Sequence, residues 1–350
     1  MAEETTIELK RAALNHYFQN LNTPQQQAVF HVNGPVLVLA GAGSGKTTAM
    51  IHRIVQMIHF GDGWVQANAS ITKEDAAYLK DYIADKQPAD LERLCSILAV
   101  QPIQPWHILA ITFTNKAANE LRSRLLQAIG EECASMLHAS TFHSACVRIL
   151  RRSISKLGYD SNFTIYDTDD SQRLMKSCIA DADVSEKQFP PRAVLTEISL
   201  AKDRMCSPEY FCIEAGSDYR KMVIGKLYKE YQNRLKSANA LDFDDLIYKT
   251  VELLESFPEE LEYYQNRFRY IMVDEYQDTN HAQFRLVQLL SQKHQNLCVV
   301  GDDDQSIYRF RGATIENILN FEKQFQNAVV IRLEQNYRST KTILEAANDV

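Results

Sequence analysis

The segment AGAGSGKTT, residues 40–48, combines small residues with one lysine and two threonines. Its three glycines would let backbone N–H groups face an anion without obstruction from a Cβ atom. Lys46 would place its positive charge at the β- and γ-phosphates of a nucleotide, and the Thr47 hydroxyl would coordinate Mg²⁺. The segment departs from the pattern GxxxxGK[ST] at Ala40, which stands at the first glycine position. The alternative interpretation is a glycine-rich turn between a strand and a helix, with a solvated lysine.

A second segment, YIMVDEYQDT at residues 270–279, places Asp274 and Glu275 directly after the run YIMV. In an enzyme with a phosphate-binding loop, an aspartate at this point holds Mg²⁺, and an adjacent glutamate polarises the attacking water. The alternative is an acidic helix N-terminus, which aspartate and glutamate also favour. Beside Lys46 and Thr47, the acidic pair favours hydrolysis of a nucleoside triphosphate through positioning and charge stabilisation.

Five nearly continuous apolar runs predict buried parallel strands that would position these groups. They are PVLVLA (35–40), HILAIT (107–112), YIMV (270–273), NLCVV (296–300) and AVVIRL (328–333). Loops after the carboxyl ends of such strands are where open α/β sheets bind ligands. The residues with reactive side chains fall in those loops.

The long stretch between the second and third runs predicts helices, because its apolar residues recur at intervals of three to four. We predict an α/β domain with a parallel sheet, formed by residues 1–142 and 268–350, and an all-helical domain inserted at 143–267. A second helical insertion is predicted at about 61–104. It contains TKED (72–75), which resembles a capping box, and the helical pattern PADLERLCSIL (88–98).

The composition is typical of soluble globular proteins, with 45% hydrophobic and 24% charged residues. The net charge of −7 argues against uniform polyanion binding but permits a local basic or aromatic groove. The seven cysteines form no CxxC pair, which favours a reduced, cytoplasmic compartment. The polar start MAEETTIELK predicts no signal peptide, and the sequence contains no apolar run of about 18 residues that would span a membrane.

Eight segments, in order along the chain, carry a resemblance to one family. They are LNTPQQQAV (21–29), AGAGSGKT (40–47), ITFTNKAA (111–118), STFHSACVRILR (140–151), LDFDDL (241–246), VDEYQDTN (273–280), VGDDDQSIYRFRGA (300–313) and LEQNYRST (333–340). On these segments the chain resembles the N-terminal half, domains 1A and 1B, of superfamily-one ATP-dependent DNA helicases of the UvrD/PcrA/Rep type. The resemblance implies a RecA-like domain 1A, a helical domain 1B, the cofactors ATP and Mg²⁺, and single-stranded DNA with its junctions to duplex as the partner.

The resemblance assigns the nucleotide site by position. Gln25 matches a glutamine that reads the adenine edge, and Tyr337 matches a tyrosine that stacks on adenine. Gln305 matches a sensor of the γ-phosphate, and Arg338 matches an arginine finger. The expected catalytic residues are Lys46, Asp274, Glu275, Gln305 and Arg338, with Mg²⁺ at Thr47 and Asp274. The expected nucleotide-binding residues are Gln25, Ala40, Gly41, Ala42, Gly43, Ser44, Gly45, Lys46, Thr47, Thr48 and Tyr337.

The resemblance also implies a track for single-stranded DNA. Aromatic residues expected against bases are Phe113, Phe243, Tyr308 and Phe310, and polar residues expected along the track are Thr112, Asn115, Thr141, His143 and Arg311. From residue type alone, Phe113 and Phe243 are better interpreted as core aromatics, and His143 as a residue of a helix N-terminus.

Two further side-chain patterns have a structural interpretation. The carboxylates of Asp242, Asp244 and Asp245 could suggest a metal site, but a capped helix start explains them better. Cys146 is interpreted as a small buried hydrophobic residue.

The segment at 300–313 begins with carboxylates and ends with aromatics and arginines. We interpret it as an element that couples the γ-phosphate, sensed by Gln305, to the base that Phe310 stacks on. Phe310 stands where the family commonly has tryptophan, which reduces the stacking area, and Thr48 stands where relatives often have arginine. The insertion at 61–104 is longer than the usual family connection.

Twelve residues follow Arg338, so the second RecA-like domain that closes over ATP in the family is absent from this sequence. We expect a monomeric N-terminal piece of a longer protein that turns ATP over slowly and does not unwind DNA by itself. The leading interpretation is an ATP-dependent helicase and translocase motor with the 3′ to 5′ polarity of the family, serving DNA repair or replication in the cytoplasm. One alternative is the motor subunit of a helicase–nuclease complex. Another is a non-catalytic DNA-binding module that uses ATP as a switch.

Overall fold

The computed structural model describes residues 2–66, 71–302 and 316–337. The strands in these ranges are β1 (Val36–Ala40), β2 (Ile108–Thr112), β3 (His138–Thr141), β4 (Thr164–Ile165), β5 (Ala240–Leu241), β6 (Tyr270–Val273), β7 (Leu297–Gly301) and β8 (Val329–Leu333). The helices are α1 (Ala2–Tyr17), α2 (Thr23–Phe30), α3 (Lys46–His59), α4 (Lys73–Ile83), α5 (Leu91–Leu98), α6 (Asn115–Met136), α7 (Phe142–Ser153), α8 (Thr168–Asp181), α9 (Pro191–Asp203), α10 (Pro208–Ala215), α11 (Tyr219–Ser237), α12 (Phe243–Ser256), α13 (Pro258–Arg267), α14 (His281–Ser291), α15 (Glu316–Leu319) and α16 (Phe321–Gln324). None of these helices combines the length and apolarity needed to cross a membrane.

Six strands form one sheet in the order β3-β2-β6-β7-β1-β8. All neighbouring pairs run parallel, with Val36 of β1 opposite both Cys298 of β7 and Val329 of β8. Helices cover both faces, so β1, β2 and β7 are buried along their whole length. The predicted α/β fold with a parallel sheet is confirmed, and the five predicted apolar runs all form strands of this sheet.

The sixth strand, β3, is not predicted from the apolar runs of the sequence, because its residues HAST include no large apolar side chain. It forms one edge of the sheet and pairs with β2 from Leu109–His138 to Thr112–Thr141. Ser140 is nevertheless fully buried. The neighbouring strand, rather than the composition of β3, therefore sets its position.

Alternate residues of each strand enter two different cores, as the period of two in a strand requires. Val36 and Val38 belong to the core covered by α1, α2, α3 and α6. Leu37 and Leu39 belong to the core on the other face, which α7, α12 and α14 cover. A third core lies among α8, α9, α10 and α11, within the predicted helical insertion.

The chain from α7 to α13 consists of helices joined by turns, together with β4 and β5, two-residue strands that pair in parallel. The helices predicted between the second and third apolar runs are confirmed, among them α7, α8, α11 and α12. Side chains of α7 and α12 enter the core of the sheet, so these two helices join the insertion to the α/β part. The domain limits at 143 and 267 stay a prediction.

The predicted second insertion contains α4 and α5, each capped at its start. The Thr72 hydroxyl accepts from the Asp75 N–H at 3.0 Å and donates to the Asp75 carboxylate at 2.6 Å. The base of the insertion closes at Gly61, whose φ is +53°, where an added Cβ would lie 2.2 Å from the Val100 carbonyl oxygen. Only glycine fits this close approach.

Candidate functional site

The segment 40–48 connects β1 to α3 through a loop whose backbone conformation favours glycine at two positions. Gly43 and Gly45 have φ angles of 75° and 85°, in the left-handed region. The N–H and the hydroxyl of Ser44 both donate to the Gly41 carbonyl, at 3.2 and 2.7 Å. The helix α3 begins immediately afterwards at Lys46. Its first N–H groups lack partners within the helix and carry partial positive charge, which suits a phosphate.

Gln25 packs against this loop and is only 4% exposed. Its Oε1 accepts from the Asn22 N–H at 3.1 Å, which completes a capping box at the start of α2. Its Nε2 donates to the Ser44 carbonyl at 3.0 Å. Because a primary amide has two N–H donors and two acceptor lone pairs, one of each remains for the edge of a base.

Tyr337 lies across the same loop, although it is almost 300 residues distant along the chain. Its backbone N–H donates to the Gly43 carbonyl at 2.9 Å, and its hydroxyl accepts from Asn22 Nδ2 at 2.8 Å. The preceding Asn336 donates to the Ala42 carbonyl at 2.5 Å. Tyr337 is therefore held at its backbone and at its hydroxyl. It nevertheless remains 56% exposed, so much of the ring surface is open. The assignment by resemblance names Tyr337 but misses Asn336, since its amide contact depends on the return of the chain after β8.

Lys46 extends from the start of α3 toward carboxylates that follow two neighbouring strands. Its Nζ lies 3.3 Å from Glu275 Oε2, after β6, and 3.7 Å from Asp302 Oδ2, after β7. The Lys46 side chain is 11% exposed and Asp302 only 1%, while Glu275 is 39% exposed. The parallel sheet therefore brings all three groups together at the carboxyl ends of its strands, as the sequence predicts for Lys46 and Glu275.

Asp274 is 8% exposed and accepts a hydrogen bond from the Glu275 N–H at 3.0 Å. Burial, and then the adjacent Glu275 carboxylate, raises the pKa of Asp274 to about 6, against the opposing effects of the Glu275 N–H and Lys46. Burial and Glu275 also raise the pKa of Asp278. The site thus holds more negative charge than Lys46 neutralises, and a cation beside Asp274 would stabilise its ionised form.

The surplus of carboxylates suits Mg²⁺, which prefers hard oxygen ligands such as Asp274 and the Thr47 hydroxyl. Among the described residues, no three His, Cys, Asp or Glu side chains are grouped so as to hold a metal by themselves. The ion would therefore share its coordination with nucleotide phosphates and water, as Mg²⁺ does in phosphoryl-transfer sites.

Gln277 links the two acidic strand ends and is not found by the sequence analysis. Its Nε2 donates to Glu275 Oε2 at 2.8 Å, and its Oε1 accepts from the Asp302 N–H at 3.0 Å. An added Cβ at Gly301 would lie 3.0 Å from that Oε1 and 2.8 Å from Ile318. A glutamine two residues beyond an Asp-Glu pair is the only sequence signal for this role.

Exposed Phe243 and half-buried His143 form an aromatic pair at the adjoining starts of α12 and α7. Their ring centroids lie 4.7 Å apart with an interplanar angle of 43°. Phe243 is 55% exposed, which excludes the interpretation that it is a core aromatic. Phe113 is different: it is partly buried against the core, edge-on to Phe142 at 5.4 Å.

Among the polar residues assigned to the DNA track, Thr112 ends β2, whereas Asn115 and Thr141 lie at helix starts. Thr141 caps α7, accepting from the Ser144 N–H at 3.3 Å, and is 6% exposed. Thr112 is 1% exposed and donates to the Thr114 carbonyl at 3.3 Å. Asn115 is the exposed first residue of α6. Asn115 is thus the most open to a ligand, while Thr112 and Thr141 shape the backbone.

Two structural interpretations from the sequence are confirmed. Asp242 and Asp245 form a capping box at the start of α12, with Asp245 N–H donating to Asp242 at 2.8 Å. Cys146 is fully buried, and this burial raises the pKa of its thiol to about 12. Gln305, Tyr308, Phe310, Arg311 and Arg338 lie outside the described residues.

The comparison with known proteins agrees with this arrangement. A family model described as UvrD/REP helicase N-terminal domain matches residues 21–68 and 91–326, leaving out the part that contains α4. The ATP-dependent DNA helicase PcrA of Bacillus subtilis (strain 168) is 47% identical over 336 residues, which are 96% of this chain and 40% of that protein. PcrA helicases of Staphylococcus epidermidis and Staphylococcus aureus are each 46% identical, over 96% and 97% of this chain.

The chain spans about 40% of the length of the curated relatives it matches. Within that span, the family match covers the phosphate-binding loop, the acidic strand ends and the helices between them. The chain belongs to the UvrD/REP helicase N-terminal domain family.

Proposed function

We propose that the intact protein carrying this chain is an ATP-dependent DNA helicase that moves along single-stranded DNA with 3′ to 5′ polarity. The main support for the proposal is that the residues of the nucleotide site and those of the proposed DNA track lie near each other. Lys46, Glu275 and Asp302 follow β1, β6 and β7, while Asn115 and His143 follow β2 and β3. Because all these strands run parallel, both groups lie at the carboxyl ends of the strands of one sheet.

The nucleotide would be held by the chain's own groups around the loop 40–48. The backbone N–H groups of the loop and the start of α3 would bind the phosphates, and Lys46 would contact the γ-phosphate. Tyr337 would stack on the adenine, and Gln25 would present its remaining donor and acceptor to the base edge. Mg²⁺, when bound, would neutralise charge on the β- and γ-phosphate oxygens.

Glu275 is the residue that we assign to the attacking water. Its carboxylate is 39% exposed and faces Lys46 at 3.3 Å, so it stands beside the position proposed for the γ-phosphate. Gln277 Nε2, 2.8 Å from the same oxygen, would fix the orientation of the carboxylate. Gln305 and Arg338 are proposed by resemblance as the γ-phosphate sensor and the arginine finger.

Single-stranded DNA would pass over the starts of α6, α7 and α12. Phe243 offers an open ring to an unstacked base, and the ring of His143 lies 4.7 Å from it. Phe113, Asn115 and Thr141 are proposed to line the same track, and Tyr308, Phe310 and Arg311 to extend it. The N-termini of these three helices carry partial positive charge, which would favour binding of the DNA phosphates.

The two remaining parts of the proposal concern assembly and location. A second motor domain would close over ATP, so we propose that residues 1–350 alone are monomeric, turn ATP over slowly and do not separate strands. The proposed substrates are single strands and their junctions with duplex. All seven cysteines are free, which supports the cytoplasm as the proposed location.

A strand-separation assay tests the proposed activity. The intact protein, supplied with ATP and Mg²⁺, should unwind a duplex with a 3′ single-stranded tail and leave blunt duplex intact. A 5′-tailed duplex of the same sequence is the polarity control. Failure to separate the 3′-tailed duplex, with ATP hydrolysis intact, would instead support the ATP-switched binding module.

A further inference from the structure

Lys202, near the end of α9, is buried between two carboxylates of the capping box that starts α12. Its Nζ lies 2.7 Å from Asp242 Oδ2 and 2.9 Å from Asp245 Oδ1. Lys202 is 1% exposed, Asp245 0% and Asp242 7%. The three charges lie between the core of the helical insertion and the start of the helix that carries Phe243.

All four carboxylate oxygens of this cluster have partners, whereas Gln232 Oε1 is buried without one. The Tyr231 hydroxyl donates to Asp242 Oδ2 at 3.1 Å, and Gln232 Nε2 donates to both oxygens of Asp245 at 2.9 and 3.0 Å. Burial acts to lower the pKa of Lys202, but the two aspartates outweigh it and hold that pKa well above its ordinary value. A buried lysine that stays charged is a rigid anchor, because moving it away from both carboxylates would leave uncompensated buried charge.

This anchor bears directly on Phe243, which follows Asp242 in the chain. Both oxygens of Asp242 are bonded, one to the Asp245 N–H and the other to Lys202 and Tyr231. The first turn of α12 therefore cannot shift without α9. The position of the exposed Phe243 ring therefore depends on Lys202 through the backbone at Asp242.

The neighbouring residue, Asp203, connects α9 to the acidic turn of the nucleotide site. Its Oδ1 accepts from Asn280 Nδ2 at 2.6 Å. Asn280 caps α14 and stands five positions after Glu275. The turn between them is closed by Asp278 N–H to the Glu275 carbonyl at 3.0 Å and by the Thr279 hydroxyl to the Tyr276 carbonyl at 2.6 Å.

We propose that Lys202 and Asp203 are positioning residues that join the turn after Glu275 to the base-facing ring of Phe243. These two adjacent residues at the end of α9 contact the two sites. Asp203 accepts a hydrogen bond from Asn280 on the nucleotide side, and Lys202 forms an ion pair with Asp242 on the DNA side. A movement of the acidic turn on ATP binding or hydrolysis would thus be transmitted to Phe243 through α9. The inference rests on the proposed function, since it assigns a connection between its two sites.

The chain offers a matched control for this contact. Glu255 of α12 also bonds to α14, through Arg285 Nε at the same distance of 2.6 Å. That pair joins α12 to α14. It lies about three turns from Phe243 along α12 and about one turn from Asn280 along α14. Loss of Glu255 therefore removes a contact of similar length without touching the proposed connection.

The test is a double-mutant cycle in the intact protein, with Asp203→Ala, Asn280→Ser and the pair. Serine keeps a capping side chain for α14 but is too short to reach Asp203 as asparagine does. ATP turnover is measured without DNA and with saturating single-stranded DNA. We expect turnover without DNA within about two-fold of the parent, stimulation by DNA reduced about five-fold or more in each single variant, and no further reduction in the pair.

Two further variants separate a positioning role from a merely structural one. Asp203→Asn keeps an oxygen acceptor for Asn280 and should restore most of the stimulation, and Glu255→Ala should leave it unchanged. Equal loss of basal and stimulated turnover in Asp203→Ala, or stimulation equal to the parent, would overturn the inference while the proposed function stands. Additive losses in the pair would overturn it as well. If DNA does not stimulate the parent protein, the proposed function fails, and the inference fails with it.

Discussion

Lys46 Nζ lies 3.3 Å from Glu275 Oε2, although the two residues are separated by 229 positions. The contact joins the start of α3 to the turn after β6, and Asp302 Oδ2 lies 3.7 Å from the same ammonium group. A γ-phosphate bound to the loop would compete with Glu275 for the same ammonium group. Transfer of Lys46 from the carboxylate to the phosphate would release Glu275 to act on water.

Replacing Lys46 should remove most of the ATP turnover of the intact protein. Lys46→Ala takes away the positive charge proposed at the γ-phosphate, and we expect kcat/KM for ATP to fall about 100-fold or more. Lys80→Ala, an exposed lysine of α4, is the control and should leave kcat/KM unchanged. Similar kinetics for the two variants would contradict the assignment of Lys46.

Asp274→Asn should stabilise the fold while it impairs catalysis. Asp274 has a folded pKa raised from 3.8 to about 6, so its ionised form is disfavoured in the folded protein. Such a group stabilises the fold most below about pH 3.8, and this contribution is lost as the pH rises through about 6. The shift corresponds to about 3 kcal/mol of unfolding free energy at neutral pH.

Urea unfolding without Mg²⁺ checks this sign. The gain in unfolding free energy of Asp274→Asn over the parent should be small at pH 4.5 and reach its full value above about pH 7, because other groups titrate alike in both proteins. An equal gain at both pH values would show that Asp274 is not held at a raised pKa.

Phe243→Ala should weaken the binding of single-stranded DNA by about 1–3 kcal/mol, the contribution of one stacked base. Because Phe243 is 55% exposed, thermal stability should hardly change. Tyr219, an aromatic residue of the same helical segment that is 68% exposed, provides the control variant Tyr219→Ala. Equal dissociation constants for the two variants would argue against stacking at Phe243.

Lys202→Met should destabilise the fold by about 3–5 kcal/mol, because it leaves the carboxylates of Asp242 and Asp245 buried without a cation. Combining it with Asp242→Asn and Asp245→Asn should recover much of the loss, since the amides keep acceptors for the backbone N–H groups. Chemical unfolding of the single and triple variants gives both numbers. A triple variant less stable than Lys202→Met would mean that the cluster is held by something other than its charges.

The sequence predicts those features that depend on neighbouring residues. The run PVLVLA followed by AGAGSGKTT indicates a buried strand, a glycine loop and a helix, and these form as β1, the loop and α3. The acidic pair after YIMV is predicted in the same way. The Asp242 capping box follows from the spacing of its carboxylates along one turn.

Contacts between distant segments are not predicted by local pattern. Lys202 meets Asp242 across 40 residues, and nothing near Lys202 marks it as a buried charge. The same holds for Asn280 and Asp203, 77 residues apart. Thr141 was assigned to the DNA track by position, yet its hydroxyl caps α7, because a residue type that binds phosphate also suits a helix start.

The decisive experiment on the proposed motor function is to measure ATP hydrolysis by the intact protein with and without single-stranded DNA. We expect single strands to raise the turnover about five-fold or more, and Glu275→Gln to lower both rates about 100-fold while ATP still binds. A turnover that is the same with and without single strands, or a Glu275→Gln variant that hydrolyses ATP at the parent rate, would contradict it.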